Sequence, residues 1–402
     1  MKKMEIRHLD GTALLETGVS KFSQSFRVVF VVEAAGGGVA VHLVDMIRGL
    51  VAKGVEVHLI VPSGARFDAS ILTEQVIGLC TSFVRVPMHR NVTWRDLIAY
   101  FHVFRQIIRI RPAIVHSHSS KAGVLARLCL GPWKQVYTPH ALYTLNPYLA
   151  RGKRRFYGAI ERLFGRIYTD RLIAVSRDEA EHARNVLAIP SRITTTIYNG
   201  IPSFSLMSQG DARKALRLEQ GKFYVGFVGR LEFQKGIDRL VSISRILYSK
   251  FGEGICIVII GSGDIEVATG LRAVDLPANV RFIGPIPQAR QYFAAFDIFA
   301  LASRYEGFPY VYLEAMAAYL PIVTTRVPGA EELVSEEGIG IVVENTDEPL
   351  DFADAIQKLF ENSELREEMR VRCKEAVAGY SASEMVERTL KVYASLGDGG
   401  TE

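Results

Sequence analysis

Two cations in the second half of the chain have the types and spacing needed to bind a polyanionic ligand. Arg230 and Lys235 stand five residues apart, in a loop that follows an apolar run. Arginine offers a planar fork of donors and lysine a point charge, so the pair can converge on one diphosphate. Two solvated surface cations are the alternative for an isolated pair. The loop follows a predicted strand, and this position favours a ligand site.

Two acids farther along the chain form a second group of candidate site residues. Glu306 and Glu314 are separated by seven residues, and Pro309 between them suits the first turn of a helix. The neighbours of Glu314 are apolar on nearly every side, so this helix is predicted to be buried. A buried carboxylate requires hydrogen bonds or a charged partner, and sugar hydroxyls are natural partners. A salt bridge to a neighbouring helix is the alternative for Glu314.

Three consecutive glycines, Gly36, Gly37 and Gly38, lie between a predicted strand and a predicted helix. Without Cβ atoms, the backbone there can approach a ligand closely, and the helix N-terminus offers free N–H groups to an anion. The segment is not the G-x-G-x-x-G fingerprint of dinucleotide binding. A simple tight turn is the alternative.

Histidines gather where two strands of the first half are predicted to end. His116 and His118 close one strand and His140 follows another, while residues 118–123 (His-Ser-Ser-Lys-Ala-Gly) form a strand-to-helix turn. The hydroxyl of Ser119 and the ammonium of Lys121 at that turn suit an anion or an acceptor. A metal site needs a third ligand, which the sequence does not identify. The absence of an Asp-x-Asp motif also argues against a metal-bound diphosphate, so no metal is expected.

The elements that would position these residues follow a strand–helix alternation. Apolar runs that alternate with amphipathic segments predict parallel strands covered by helices on both faces. The predicted strands span residues 26–32, 55–61, 113–118, 135–138, 172–176 and 193–198 in the first half, then 224–229, 255–260, 280–283, 298–301, 322–324 and 339–343 in the second.

The restart of the pattern near residue 223 indicates two doubly wound α/β domains in tandem. We place the boundary in the Pro-, Ser- and Gly-containing stretch 201–210. The expected organisation is an N-terminal extension (1–25), a first domain (26–202), a second domain (203–380) and a C-terminal helical segment (381–402). Ligands of such sheets bind at the carboxyl ends of the strands, here in a cleft between the domains.

Composition narrows the class of protein. With 402 residues, 49% hydrophobic and 23% charged, the chain has the balance of a globular enzyme. A net charge of +5 is too small for a typical nucleic-acid binder. The four cysteines lack metal-site spacing and indicate free thiols of a reducing compartment. With neither a secretory signal nor a spanning apolar stretch in the sequence, a cytoplasmic location is expected.

One segment is basic and then amphipathic. It runs from Arg151 through Lys153, Arg154 and Arg155 to Phe164. Such a helix can lie on an anionic membrane surface. The charged, exposed face of a core helix is an equally good interpretation.

Together these motifs resemble the retaining glycosyltransferases of family 4, over about residues 26–395. Such enzymes have the GT-B fold: two tandem Rossmann-like domains with a cleft between them. Each motif is weak alone, and the resemblance rests on their order. In chain order they are residues 36–38, 118–123, 138–140 (Thr-Pro-His), 174–176 (Ala-Val-Ser), 199–201 (Asn-Gly-Ile), 228–230 (Val-Gly-Arg), 235–236 (Lys-Gly), 261–263 (Gly-Ser-Gly) and 306–314.

The resemblance implies a role for each candidate residue in binding a nucleotide-sugar donor. Arg230 and Lys235 would hold the diphosphate, and Glu306 would contact sugar hydroxyls. Glu314 would hold the ribose, and His140 would lie near the reacting carbon. Further donor contacts would come from Gly37, Gly38, Gly284, Phe308, Pro309, Tyr310 and Val311. Acceptor contacts would come from His118, Ser119 and Lys121.

The resemblance also implies a reaction and a pathway. Transfer would retain anomeric configuration by a same-face displacement, without a metal, from a nucleotide sugar, with UDP-sugars favoured. The sequence of residues 118–123 is similar to the corresponding motif of bacterial enzymes of O-antigen, capsule and exopolysaccharide assembly. The acceptors of these enzymes are often glycans or polyprenyl-diphosphate-linked sugars at the inner membrane face. Pro309 and Tyr310 depart from the commoner family pattern, and Tyr310 would tighten the sugar pocket. The alternatives are a sugar-nucleotide epimerase on the same fold and a non-catalytic sugar-nucleotide-binding subunit.

Overall fold

The structure is a computed structural model that describes residues 26–88 and 93–397. These residues form two parallel sheets, one of seven strands and one of six. The predicted N-terminal extension, residues 1–25, lies outside the described residues, as do residues 398–402 of the C-terminal segment.

The first sheet is entirely parallel, in the order β3-β2-β1-β4-β5-β6-β7. Its strands are β1 Arg27–Val32, β2 Glu56–Pro62, β3 Ser82–Val86, β4 Ile114–His118, β5 Lys134–Thr138, β6 Arg171–Ala174 and β7 Thr194–Thr196. The helices of this half are α1 Gly37–Ala52, α2 Glu74–Ile77, α3 Arg95–Ile110, α4 Ser120–Arg127, α5 Arg151–Ile167 and α6 Arg177–Glu181.

The second sheet is also parallel, in the order β10-β9-β8-β11-β12-β13. Its strands are β8 Phe223–Val228, β9 Ile255–Ile260, β10 Val280–Gly284, β11 Ile298–Leu301, β12 Ile322–Thr325 and β13 Gly340–Val343. The remaining helices are α7 Gln209–Ala215, α8 Ile237–Phe251, α9 Ile265–Thr269, α10 Tyr310–Ala317, α11 Leu350–Glu361, α12 Ser363–Ala376 and α13 Ala382–Gly397, with short 3₁₀ and π turns between elements.

The continuous apolar character of β1 follows from burial on both faces. Val28 and Phe30 pack into one hydrophobic cluster, with α1 and α13, whereas Val29 and Val31 pack into another, with α3 and α4. Successive side chains of a strand point to opposite faces, so a strand between two helical layers must be apolar throughout. The sequence pattern predicted this layered arrangement, and the structure confirms it.

The strand orders reverse beside β1 in the first sheet and beside β8 in the second. In the first sheet, β2 and β3 are added on one side of β1, and the chain then returns to place β4 on the other side. In the second sheet, β9 and β10 are added on one side of β8, and β11 follows on the other. This leaves a crevice at the carboxyl ends of β1 and β4, and another at the carboxyl ends of β8 and β11. Candidate residues of both halves follow these strands, among them Gly37 after β1, Ser119 after β4, Lys235 after β8 and Glu306 after β11.

Each predicted strand overlaps an observed strand, but β3 was not predicted. It lies at the edge of the sheet, pairs with β2, and contains Ser82 and Arg85. An edge strand with partly exposed side chains does not need a continuous apolar run, so the apolar-run criterion missed it. The first helix also begins two residues earlier than predicted, because Gly36 occupies its N-cap position.

The last helix packs on the first domain. A Cβ atom at Gly49 of α1 would lie 2.5 Å from Val386 of α13, so the two helices are in close contact. Lys53, directly after α1, also pairs with Glu387 of α13. The chain enters this helix beside Ile201, which accepts a hydrogen bond from the Ala382 amide.

Candidate functional site

The glycine loop of the first domain faces two candidate residues of the second. Gly37 has φ +55°, and a Cβ atom there would lie 3.9 Å from Nε of Arg230. A Cβ atom at Gly38 would lie 3.2 Å from the ring of Tyr310. The absence of side chains at the start of α1 therefore lets this backbone approach the C-terminal domain closely.

Lys235 and Glu306 form the centre of the polar site. Nζ of Lys235 lies 2.6 Å from Oε1 of Glu306, and both side chains are largely buried. Oγ of Ser303 donates to the same carboxylate oxygen at 2.7 Å. Nε2 of Gln234 donates to the other oxygen at 3.3 Å. The two residues predicted from separate motifs are thus in direct contact.

Gly236 is required by the turn that carries Lys235. It has φ +65° and begins the connection into α8. A Cβ atom there would lie 2.1 Å from the carbonyl oxygen of Ala302. This close approach brings the loop after β8 against the end of β11, and so brings Lys235 to Glu306.

Arg230 projects from the loop after β8 into the region beside Gly37. Its side chain is 58% exposed, and Nη1 donates to Glu232 Oε1 at 2.7 Å. An exposed surface ion pair contributes little to stability, so this guanidinium can exchange its partner for a bound anion at low cost.

The N-terminus of α10 carries three of the predicted donor residues. Pro309 occupies its N-cap position, one residue before the first helical turn in which the sequence placed it. Tyr310 and Val311 open the helix. The hydroxyl of Tyr310 is buried and has no hydrogen-bond partner among residues 26–88 and 93–397. Burial raises the pKa of this hydroxyl well above its usual value.

Glu314 lies on α10, as predicted, and sequence reasoning missed a second buried acid near the start of this helix. Burial raises the pKa of Glu314 to about 7, against an opposing effect of Arg290. Burial also raises the pKa of Asp45, on α1 of the other domain, to about 7. Both carboxylates act electrostatically on the Tyr310 hydroxyl. Asp45 could have been found as the one acid within an otherwise apolar stretch of its helix.

Phe308 joins the site to the first domain. Its ring stacks on Tyr198 with centroids 5.5 Å apart, and its carbonyl accepts a hydrogen bond from Nδ2 of Asn199 at 3.0 Å. A Cβ atom at Gly307 would lie 2.8 Å from the amide nitrogen of Ala141. The segment between Glu306 and α10 therefore touches the loop that carries His140.

His118 and His140 meet as the sequence predicted, and a third histidine joins them. Nδ1 of His118 lies 3.0 Å from Nε2 of His140. His42 of α1 packs against His140 with ring centroids 4.6 Å apart. Burial lowers the pKa of His42 to about 4, and the pKa values of His118 and His140 well below the usual range. All three imidazoles are therefore neutral at pH 7. Sequence reasoning missed His42 because it lies mid-helix, far from the other two in the chain.

His116, by contrast, is a structural residue. Its Nδ1 lies 2.6 Å from the hydroxyl of Tyr393, and its Nε2 lies 2.8 Å from Oγ1 of Thr138. Both ring nitrogens are occupied, and the contact with Tyr393 ties α13 to the first sheet.

Unusual backbone conformations mark both strand ends near the histidines. Ser119 has φ +80°, and His140 and Ala141 have φ +56° and +93°. Positive φ is costly for residues other than glycine and often accompanies functional sites. The Ser119 hydroxyl is buried and has no hydrogen-bond partner among the residues described, whereas Lys121 is in an ion pair with Asp96 of α3 at 2.6 Å.

Gly284, one of the predicted donor contacts, is the last residue of β10. It has φ +82°, and a Cβ atom there would meet no atom within 4 Å. The end of this strand therefore opens onto unfilled space.

The basic segment is α5, and its two faces differ. The inner face is fixed by Glu161, which pairs with the fully buried Arg127 at 2.9 Å. The outer face exposes Phe156, Leu163 and Ile167 by 63%, 50% and 62%. An ordinary solvent-exposed helix face does not carry several large apolar side chains at this helical spacing. No helix in the described part of the chain is both long and apolar enough to cross a bilayer.

Two family models match the chain, one for each domain. Residues 36–203 match the model for Glycosyltransferase Family 4. Residues 208–376 match the model for Glycosyl transferases group 1. The matched ranges contain the glycine loop and the histidines in the first case, and Arg230, Lys235, Glu306 and Glu314 in the second.

Similar proteins agree with these matches. The capsular polysaccharide biosynthesis glycosyltransferase CapM of Staphylococcus aureus is 26% identical over 318 residues, covering 76% of this chain and 83% of CapM. The UDP-Gal:alpha-D-GlcNAc-diphosphoundecaprenol alpha-1,3-galactosyltransferase of Escherichia coli is 23% identical over 328 residues, covering 76% of this chain and 84% of that enzyme.

The fold is also found in solved structures. A glycosyltransferase from Rickettsia africae superimposes with a TM-score of 0.73 at 18% identity, covering 94% of this chain and 100% of that chain. Anabaena HepE, crystallised in complex with UDP, superimposes with a TM-score of 0.74 at 18% identity, covering 92% of this chain and 100% of HepE. The tandem parallel sheets, the cleft residues and both family matches lead to one conclusion. The chain belongs to glycosyltransferase family 4 and is a glycosyltransferase with the GT-B fold.

Proposed function

We propose that this enzyme transfers a sugar, with retention and without a metal, from a UDP-sugar to a glycan or lipid-linked sugar during cell-surface polysaccharide assembly. The observation that carries the proposal is the contact between Lys235 and Glu306, which lies in the cleft where Arg230 approaches the glycine loop. Cations for a diphosphate and a carboxylate for sugar hydroxyls thus lie in one cleft.

The cations supply the electrostatic part of the mechanism. As the bond between the anomeric carbon and the diphosphate breaks, negative charge grows on the departing phosphate. Arg230 and Lys235 stabilise that charge in place of a divalent ion. Glu306 accepts hydrogen bonds from sugar hydroxyls, and Glu314 accepts them from the ribose. Val311 and the residues beside it offer the amides at the start of α10, where an anion is favoured.

A same-face displacement accounts for retention. The acceptor oxygen forms its bond to the anomeric carbon on the face that the diphosphate leaves, and the acceptor proton passes to the departing phosphate oxygen. Glu306 already contacts Lys235, Ser303 and Gln234, so its oxygens are engaged rather than presented as a nucleophile. This arrangement supports single displacement over a covalent intermediate. His140 lies beside the donor sugar.

The names of similar proteins support the choice of donor and pathway. CapM is a capsular polysaccharide enzyme, and the Escherichia coli relative is named for UDP-galactose and a diphosphoundecaprenol-linked sugar. HepE has been crystallised with UDP and with UDP-glucose. We extend a UDP-sugar donor and a polyprenyl-diphosphate-linked acceptor to this chain on those grounds.

A lipid-linked acceptor calls for contact with the cytoplasmic membrane face. We assign this contact to the α5 patch, defined as Phe156, Leu163 and Ile167 together with the exposed cations Arg151 and Lys153. Apolar side chains would enter the interface while the cations attract anionic lipids. On the acceptor side of the cleft, His118 and the hydroxyl of Ser119 bind the acceptor. Lys121, which forms an ion pair with Asp96, lies near them in the chain.

The proposal is tested by assaying UDP-, GDP- and ADP-sugars with and without polyprenyl-diphosphate-linked acceptors, with nucleotide release as the readout. UDP release that depends on the acceptor, with NMR couplings of the product that match the donor's anomeric configuration, is the expected result. Conversion of the donor without acceptor would indicate an epimerase instead. Donor binding without any turnover would indicate a non-catalytic subunit.

A further inference from the structure

Three histidines are grouped at the floor of the cleft more closely than the roles proposed above for His118 and His140 require. His42, His118 and His140 each contribute one ring nitrogen to a group of atoms that lie within 4.8 Å of one another. We propose that these histidines form a binding site for a divalent transition-metal cation of the zinc type. The proposal assigns the ion no step in the transfer reaction proposed above.

The ring nitrogens of His42 can be assigned from their surroundings. Nδ2 of Asn199 donates to the carbonyl oxygen of Phe308, which can only accept, so Oδ1 of Asn199 is the atom that faces His42. This oxygen also only accepts, and therefore Nδ1 of His42 carries the hydrogen, at a distance of 3.2 Å. Its Nε2 is left with a free lone pair. A metal-binding histidine commonly has this type of second hydrogen bond.

His118 has a nitrogen without a partner. Its side chain is fully buried, and yet Nε2 has no hydrogen-bond partner among the residues from 26 to 88 and from 93 to 397. A buried polar atom of this kind costs free energy unless something absent from the chain satisfies it. Coordination of a cation would satisfy it. His116 next to it shows the contrast, because both of its nitrogens have partners.

The rings are already close enough for shared coordination. Nδ1 of His118 lies 3.0 Å from Nε2 of His140, a contact that does not use the unpartnered Nε2 of His118. One ring nitrogen from each histidine lies within 4.8 Å of the others, and small ring rotations would bring such atoms to the roughly 3.3 Å that separates two ligands of one tetrahedral zinc ion. His140 is the most exposed member of the cluster, so its ring can adjust and the cation can enter past it. Three neutral imidazoles with an open fourth position suit zinc, cobalt or copper rather than magnesium, which prefers oxygen ligands.

The first experiment measures binding of Zn²⁺ and Co²⁺ to the full chain by calorimetry and by visible absorption. One equivalent should bind, with Co²⁺ giving the intense bands of tetrahedral coordination. His42→Gln should lower the affinity by at least about tenfold, the scale for disturbing a metal site. His102→Gln is the matched control, because His102 is an exposed histidine outside the cluster and should leave the affinity unchanged.

The second measurement needs no variant and so does not depend on His42→Gln folding. X-ray absorption of the zinc-loaded wild-type enzyme should give three imidazole nitrogens at about 2.0–2.1 Å. The proposal is overturned if no equivalent of zinc binds, if zinc has mainly oxygen ligands, or if His42→Gln and His102→Gln lower affinity equally. UDP-dependent transfer is assayed separately, so a failure of the metal site leaves the assigned transferase activity intact.

Discussion

Lys235 and Glu306 form an ion pair with Nζ 2.6 Å from Oε1, although 71 residues separate them in the chain. They follow neighbouring strands, β8 and β11, whose carboxyl ends meet at the same edge of the sheet. The pair therefore depends on the parallel topology rather than on local sequence. It also places a cation and an acid at one point of the cleft before any donor arrives, as electrostatic preorganisation requires.

The buried hydroxyl of Tyr310 predicts an unusual pair of effects for Tyr310→Phe. This hydroxyl has no hydrogen-bond partner in the described ranges, so its removal should raise the free energy of unfolding of the ligand-free enzyme by about 1 kcal/mol. If the hydroxyl binds the donor, the same change should raise KM for the donor. Urea denaturation and initial rates measure the two effects.

Tyr312→Phe provides the comparison on the same helix. Its hydroxyl contacts Oγ1 of Thr324, so the loss of this hydrogen bond should lower the free energy of unfolding. If Tyr310→Phe destabilised the enzyme as much as Tyr312→Phe does, the hydroxyl of Tyr310 would have a partner after all.

Gly236→Ala should destabilise the fold because it places a Cβ atom 2.1 Å from the carbonyl oxygen of Ala302. The matched control is Gly270→Ala, since Gly270 also has positive φ, at +74°, but has open space at the Cβ position. Gly270→Ala should lower the free energy of unfolding only by the conformational strain, about 1–2 kcal/mol. Gly236→Ala should lower the free energy of unfolding clearly more, as measured by thermal or urea unfolding. Equal losses would mean that the contact with Ala302 is not tight.

Asp45→Asn should change how stability depends on pH. The carboxyl of Asp45 ionises at an ordinary pKa of 3.8 and, because it is buried, at about 7 in the folded protein. Between these values the folded state holds more protons, so the wild type loses stability as pH rises from about 4 to 7. The positive charges of Arg48 and Arg290 oppose this rise in the pKa of Asp45. Beyond the effect of burial, the negative charges of Asp45 and Glu314 in turn raise the pKa of the Tyr310 hydroxyl.

The asparagine variant lacks this titration. Its stability relative to the wild type should increase from about pH 4 to pH 7 and level off above, by roughly 2–4 kcal/mol in all. Urea denaturation at pH 5, 6, 7 and 8 measures the difference. Asp354→Asn, at an exposed pair with Lys250, is the control and should show no comparable trend. A constant difference between wild type and Asp45→Asn across this range would contradict the burial effect.

The α5 patch predicts salt-sensitive binding to anionic vesicles. Replacing Phe156, Leu163 and Ile167 by Ser should reduce co-sedimentation with vesicles that contain phosphatidylglycerol, because both apolar insertion and attraction are needed. Val267 and Val274 in the second domain are exposed by 83% and 82%. Their replacement by Ser should leave binding unchanged. Equal binding by both triple- and double-substituted enzymes would place the membrane contact elsewhere.

Much of this architecture follows from local sequence patterns. The apolar runs located the strands, except β3, where Ser82 and Arg85 interrupt the pattern at the sheet edge. The glycines at the start of α1 and the loop after β8 were identified from residue type and position alone. These features are local because a short segment determines strand burial and turn conformation.

The contacts between segments that are distant in the chain were harder to predict from the sequence. His42 and Asp45 lie on α1, and nothing near them in the chain shows that they face His140 and Tyr310. Lys121 was predicted on the acceptor side, but its ion pair with Asp96 depends on how α3 packs against α4. Side-chain partners across elements are set by tertiary packing, which periodicity does not encode.

The most direct test of the central claim compares single-turnover transfer by the wild type, Lys235→Ala and Lys222→Ala. Lys222 is a matched control because it also forms ion pairs, with Glu219 and Glu253, but on the surface. Loss of one charge-stabilising contact in the transition state should lower the rate by at least about 10²-fold for Lys235→Ala, with Lys222→Ala near the wild-type rate. A near-normal rate for Lys235→Ala, in a variant that still folds, would contradict the account.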